Sequence, residues 1–256
     1  VLCLLLAVVI LLQLTWMLSG WRSRAAVVET LPPTPFAAPR LSFSVLVTAV
    51  HGRSGVAETL TALAEQTHPN LEVTVIVDGH DEDAVGAARV AAATHSSMRI
   101  SLVADRSIPL SRPAALNRAL ESSRGEVIAV FEAGDAPDAD LLTRVDARFR
   151  DPEIAIVQGG LQPTQLGHAW WRLASAVEQY FWFRSRLLVH ERAGAAVLHG
   201  SAVFARAEWL FWSNGWDAHS LAEGGELGMR ASAAGAHVAA IYGPGAITRT
   251  NGPTSL

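Results

Sequence analysis

Residues 111–138 read SRPAALNRALESSRGEVIAVFEAGDAPD, and the order of features inside them decides the fold. Ser111 stands one residue ahead of Arg112-Pro113. A serine there caps a helix, and a helix accepts proline only in its first turn. The helix so begun runs to about Ser123. Val127–Phe131 (VIAVF) is a short apolar run with the features of a buried strand, and it leads straight into Glu132-Ala133-Gly134-Asp135. A further helix is predicted from Asp138 to Phe149. Helix, buried strand, acidic turn and helix in succession describe an α/β domain.

The same alternation extends in both directions. Toward the N-terminus the pattern predicts strands over Ser42–Ala49, Leu71–Val77 and Ile100–Val103. Between them lie helices over Val56–Gln66, with Leu60, Leu63 and Ala64 on one face, and over Asp83–Ala93. Toward the C-terminus a fifth strand is predicted over Ile154–Gln158. No internal repeat is present. Beyond Gly167 the chain changes character: Ala169–Val189 reads as one long helix holding Trp170, Trp171, Tyr180, Phe181, Trp182 and Phe183, with Trp209, Trp212 and Trp216 after it. An aromatic helix with arginines suits a membrane interface, and exposed tryptophans suit sugar rings. Most of these aromatics are expected to fill the core.

Composition narrows the function. The chain has 256 residues, 50% of them hydrophobic and 17% charged, with a net charge of −4. That balance excludes a disordered protein and gives no nucleic-acid footprint. All 20 basic residues are arginine, so a P-loop lysine, a Schiff-base lysine and a kinase-type lysine are excluded. Cys3 is the single cysteine, which rules out a disulfide framework and a cysteine zinc site. No Gly-x-Ser-x-Gly occurs. Gly243-Pro244-Gly245 opens no helix, so it fails as a dinucleotide loop. His80-Asp81-Glu82-Asp83 resembles metal-ligand material, but acidic residues at a helix start are favoured by the helix dipole alone. His199 and His219 have no partner at metal-ligand spacing.

Val1–Ser19 (VLCLLLAVVILLQLTWMLS) holds no charge and one amide, Gln13. Nineteen helical residues span about 28 Å, near the hydrocarbon thickness of a bilayer. Trp16 and Trp21 fall where an aromatic belt would sit, and Arg22 and Arg24 follow. The expectation is a membrane anchor over residues 1–21 with the remainder on the cytoplasmic side. A proline-rich linker follows over 22–40, and the globular domain occupies 41–256. A signal peptide usually has a shorter apolar region behind a basic start.

A longer series of landmarks is more specific. Val47-Thr48-Ala49 ends the first strand; Gln66-Thr67-His68-Pro69-Asn70-Leu71-Glu72 and Asp78-Gly79 follow. Then come Ser111 to Asn117, Arg124-Gly125-Glu126, Phe131 to Asp138, Gly215-Trp216-Asp217, Glu223 and Glu226-Leu227-Gly228-Met229-Arg230. In this order and spacing, over roughly residues 42–242, the chain resembles family-2 glycosyltransferases of the GT-A fold, above all membrane-anchored, cellulose-synthase-like members.

The resemblance implies inverting transfer from a UDP-sugar to a saccharide or lipid-linked acceptor. Thr48 and Asp78 match residues that hydrogen-bond the uracil. Arg112 matches a basic residue near the diphosphate, and Asn117 the end of that motif. Gly200 and Ser201 fall on the acceptor cleft, as do Trp216 and Asp217. A divalent metal, Mn or Mg, would sit on Glu132 and Asp135. The base would be Glu223 or Glu226.

Four acidic positions of the family are lost. The metal motif reads Glu132-Ala133-Gly134, with Asp135 one residue late. Ala222-Glu223-Gly224 stands where Thr-Glu-Asp supplies the base, Gly52 replaces the acid after the first strand, and Val77 replaces the first of two aspartates. Two readings follow. Either Asp135 with Glu132 still holds a metal and Glu223 or Glu226 serves as base, or the protein is a pseudoenzyme that binds a nucleotide or a partner protein in the membrane. The family's Gln-x-x-Arg-Trp motif of processive synthesis is absent, and the chain ends about where it and a second span would begin.

Overall fold

The computed structural model describes residues 2–21, 38–50, 54–164, 170–192, 194 and 197–251. Helix α1 is Leu2–Trp21. The domain then runs β1 (Phe43–Ala49), α2 (Val56–Ala64), β2 (Leu71–Asp78), α3 (Glu82–Thr94), β3 (Arg99–Asp105), α4 (Arg112–Ser122) and β4 (Val127–Glu132). Next come β5 (Ala136–Pro137), α5 (Leu141–Arg148), β6 (Ile154–Pro163), α6 (Trp170–Phe181), a π-helical turn (Trp182–Arg186) and α7 (Leu187–Arg192). The last elements are β7 (Val203–Arg206), α8 (Ala207–Trp212), α9 (Glu223–Ala233), β8 (His237–Ile241) and β9 (Ile247–Thr250).

These strands form one sheet in the order β3-β2-β1-β4-β7-β6-β9-β5, with β8 also paired to β6. β1 to β4 are mutually parallel, and β7 runs antiparallel between β4 and β6. All of β1 is buried, because helices cover both faces. Side chains alternate accordingly. Val45 and Val47 join Leu60, Leu63, Val75, Phe131 and Leu142 on one face. Leu46 joins Ile76, Leu116, Ile128, Ile156, Trp216 and Leu227 on the other. This is the mixed α/β arrangement that the sequence predicts.

Local chemistry fixes the helix starts. The Ser111 hydroxyl accepts from the Ala114 N–H at 3.5 Å, with Pro113 in the first turn. Asp81 caps α3 by accepting from the Ala84 N–H at 2.9 Å, so the His80–Asp83 cluster is a helix start.

Three expectations need correction. The helix predicted from Asp138 begins at Leu141, because Ala136–Pro137 pairs with β9. The fifth strand continues past Gln158 to Pro163 through Gly159 and Gly160, which offer no side chain to a hydrophobic pattern. A Cβ on Gly160 would lie 2.4 Å from Tyr242 Cδ2, which explains the glycine. The long aromatic helix changes pitch at the π-helical turn, and its aromatics divide: Phe183 is fully buried, whereas Trp170 is 76% exposed.

The apolar N-terminal run is helical, as α1, with Leu4 to Leu12 largely exposed. Among the described residues no helix is long and apolar enough to cross a membrane. The side chains of Trp16 and Trp21, the pair Arg22 and Arg24, and linker residues 22–37 lie outside the described residues.

Candidate active site

Chain order sends β2 to one side of β1 and β4 to the other. The crevice outside the carboxyl ends of such strands is where open α/β sheets bind ligands. Thr48, Asp78 and Glu132 stand at those ends, and Thr48 pairs in register with Glu132. A cavity of about 440 Å³ opens there, lined by Ser54, Gly55, Glu58, Val77, Asp78 and Asp81 among others. One Asp78 oxygen, Oδ1, accepts from the His80 N–H at 2.8 Å.

Arg112, the first residue of α4, reaches across this crevice. Its Nε donates to Thr48 Oγ1 at 3.0 Å and its Nη2 to the Gly200 carbonyl at 2.6 Å. Nη2 lies 3.6 Å from Glu132 Oε1, and Nη1 is ion-paired with Glu223 Oε1. The side chain is only 12% exposed. One guanidinium thus joins the predicted nucleoside contact, the first acid of the degenerate metal motif, the acceptor-cleft glycine and the candidate base.

Asp135 is turned inward. It is 3% exposed, and its Oδ2 accepts from the Glu132 N–H at 2.7 Å and from the Ser201 hydroxyl. Burial pushes its pKa up to about 6, against the lowering effect of those hydrogen bonds. A divalent cation needs charged oxygens converging on one point. Here one carboxylate is committed to a buried hydroxyl and the other faces a guanidinium. Among the described residues no group of three or more His, Cys, Asp or Glu side chains could hold a metal. The pair Glu132 and Asp135 does not fit the cation that the resemblance implies.

Two other predicted site residues act as braces. Asn117 donates from Nδ2 to the Trp216 carbonyl at 2.7 Å and accepts from the Trp216 N–H at 2.8 Å, so its amide holds the Gly215-Trp216 turn. Gly215 is left-handed (φ 69°), and a Cβ there would lie 2.3 Å from Asn117 Oδ1. Glu226 makes a two-point ion pair with Arg230 at 2.8 and 2.9 Å, and Arg230 donates to the Gly215 carbonyl at 2.7 Å. Glu226 is therefore committed to the turn, which leaves Glu223 as the one of the two candidate bases that reaches Arg112. Asp217 accepts from the His219 N–H at 3.0 Å. Gly52 lies outside the described residues.

On the far side of Arg112 lie two adjoining cavities. One of about 530 Å³ is lined by Ser175, Gln179, Trp182, Gly200 and Glu223. The other, of about 280 Å³, is lined by Glu132, Asp135, Ser201 and Asn251. His199 lines both. Its ring packs on Phe183 with centroids 5.0 Å apart, and burial lowers its pKa, which keeps it neutral. Sequence reasoning passed over His199 because it sought metal-ligand spacing. Gln158 was also missed: fully buried, it accepts from the His199 N–H at 2.8 Å and donates to the Ser201 carbonyl at 3.0 Å.

Comparison with known proteins gives a consistent set. The family described as glycosyltransferase-like family 2 matches residues 39–256. Two curated relatives, both beta-monoglucosyldiacylglycerol synthases, come from Trichormus variabilis and a Nostoc species. Each is 24% identical over 191 residues, covering 73% of this chain but 40% of its own length. The chain thus spans less than half of these relatives. Among solved structures, a mannosyltransferase from Pyrobaculum calidifontis in complex with GDP-Man and Mn2+ superposes with a TM-score of 0.67 at 22% identity. It covers 93% of this chain and 64% of its own. The S. aureus protein TarS in complex with UDP gives a TM-score of 0.59 at 15% identity, over 82% of this chain and 60% of that one.

Proposed function

The chain belongs to the glycosyltransferase-like family 2 and has the GT-A fold, and from this premise we propose that it transfers a sugar, with inversion, from a nucleotide-sugar to a lipid-linked or saccharide acceptor at the membrane surface. The observation that carries this reading is Arg112. It stands between a cavity at the ends of β1 and β2 and a second cavity bearing Glu223, with Gly200 at the junction.

The chemistry follows from the two sides. A nucleoside enters at Thr48 and Asp78 and presents its diphosphate toward Arg112, which is positively charged at any working pH. The acceptor hydroxyl enters from the larger cavity and attacks the anomeric carbon opposite the leaving diphosphate. Its proton passes to a carboxylate on that side, and Glu223 is the one so located. UDP-sugars are the first donors to try, and GDP-sugars the second, since structural relatives have been solved with each. A lipid acceptor is supported by the two synthases named above. The apolar helix α1 supports membrane attachment, and Arg22 and Arg24, which follow it in sequence, favour the cytoplasmic side for the globular domain.

A second reading has one observation in its favour: Glu223 is already neutralised by Arg112, and an ion-paired carboxylate is a weak base. On that reading the protein is a non-catalytic nucleotide-binding subunit beside a membrane partner. A turnover screen of UDP- and GDP-sugars with diacylglycerol vesicles and oligosaccharides separates the two. Sugar transfer supports the enzyme. Nucleotide binding without transfer supports the subunit, and the absence of both overturns each.

A further inference from the structure

Resting on the donor-site reading above, we propose that the diphosphate of the donor is neutralised by the Arg112 guanidinium without a divalent cation. Glu223 serves as an internal stand-in for the phosphate until the donor displaces it.

The first ground is the failure of the metal motif. Asp135 is committed to Ser201 and the Glu132 N–H in a buried place, and Glu132 turns toward Arg112. The second ground is the way Arg112 is held. Thr48 Oγ1 and the Gly200 carbonyl take Nε and Nη2, which fixes the plane of the guanidinium. Nη1 then carries a carboxylate oxygen. Carboxylate and phosphate are the two groups that match the arginine fork, so a place built for one admits the other.

The third ground is charge. Glu132 and Glu223 both face this single guanidinium. Adding a diphosphate beside two partly buried carboxylates, 22% and 13% exposed, is unfavourable because like charges then meet where solvent screening is reduced. One carboxylate must yield, and Glu223 is the one with somewhere to go. It is the first residue of α9, an 11-residue helix whose N-terminus favours a negative charge in its first turn. Once displaced, Glu223 is an ionised carboxylate without its guanidinium, beside the cavity of about 530 Å³. Donor binding would thus release the group that the acceptor hydroxyl needs. Glu132 stays behind on β4, which holds it at the crevice.

Calorimetric titration of UDP and of GDP into the full chain tests this, once with EDTA and once with Mn2+. The expected result is binding of one nucleotide with affinities within about twofold in the two buffers, weakened at least tenfold (about 1.4 kcal/mol) in Arg112→Ala. Arg112→Lys, which keeps the charge and loses the fork, is expected to fall between, and decides the point if the alanine variant does not fold. The distinguishing variant is Glu223→Gln. Removing the competitor should tighten nucleotide binding about threefold to tenfold, whereas a residue that only supported the fold would leave it equal or weaker. Binding that requires Mn2+ overturns the proposal, as does a Glu223→Gln protein whose affinity is unchanged or lower. If neither nucleotide binds in either buffer, the donor-site reading itself is overturned, and this inference with it.

Discussion

The Asp135 carboxylate accepts a hydrogen bond from the Ser201 hydroxyl in a place where both side chains are buried. Burial raises the Asp135 pKa from 3.8 to about 6. A carboxyl raised in the folded state favours folding when protonated, so its contribution is complete below its unfolded value and is lost as pH rises through about 6. Asparagine keeps an acceptor for Ser201 and the Glu132 N–H but does not titrate. The stability of wild type relative to Asp135→Asn should therefore fall between pH 4 and pH 7, by up to about 3 kcal/mol. Urea denaturation of both proteins across that range measures it. A constant difference would mean that Asp135 is charged and solvated, as a metal ligand would be.

The strands β1, β2 and β4 could be read in the sequence because each is buried over most of its length and so is rich in β-branched and other apolar residues, as in Val45-Leu46-Val47, Val75-Ile76-Val77 and Val127–Phe131. Ser111 and Pro113 announced α4 through capping chemistry that acts within one turn. The second half of β6 was hidden because its glycines are chosen for contact with Tyr242 and Ala202, which lie far along the chain. The site divided in the same way. Of the residues named from the resemblance, Thr48 and Glu223 each touch Arg112, whereas Asp78 lines the cavity of about 440 Å³ at the end of β2. Asn117 and Glu226 were named as ligand or base but spend their polar groups on one turn, a distinction visible only once hydrogen-bond partners are known. His199 and Gln158 carry no local signal at all.

Asn117→Ala should destabilise the fold. It removes the partners of both the N–H and the carbonyl of Trp216, a residue that is 4% exposed. Each buried backbone group left unpaired costs about 1–3 kcal/mol, so for the two groups a loss of about 2–6 kcal/mol is expected. Thermal melts measure it. Nucleotide affinity at temperatures where the variant is folded should change less than about twofold, since the hydrogen bonds of the amide run to Trp216. A variant of normal stability that binds nucleotide poorly would return Asn117 to the donor site.

Asp78→Ala should have the opposite signature. Asp78 is partly buried at the end of β2 and lines the cavity of about 440 Å³. On the proposed function Asp78 accepts from a nucleobase N–H, and its loss should weaken nucleoside diphosphate binding about tenfold or more. Stability should change by less than about 1 kcal/mol, because its hydrogen bond to the His80 N–H is exposed. Parallel titrations and melts decide it, and unchanged affinity would move the nucleoside elsewhere.

Helix α6 joins the cavity of about 530 Å³ to a surface of another kind. Trp170, Leu173, Val177 and Tyr180 are exposed, and their spacing sets them along one side of the helix. Ser175, Glu178 and Gln179, which line the cavity of about 530 Å³, fall on the opposite side, as helical geometry at about 100° per residue requires. An exposed apolar side suits a membrane surface, and on the proposed function the cavity behind it would receive a lipid-linked acceptor. Trp170→Ser combined with Leu173→Ser should reduce partitioning onto anionic vesicles about tenfold, as expected when about 1.4 kcal/mol of apolar burial is lost. Turnover on a vesicle-borne acceptor should fall with it, while titration of UDP gives the affinity of the unaltered chain. Because neither residue lines the donor cavity, equal vesicle binding by the double variant would show that α6 faces water and that α1 alone accounts for any attachment.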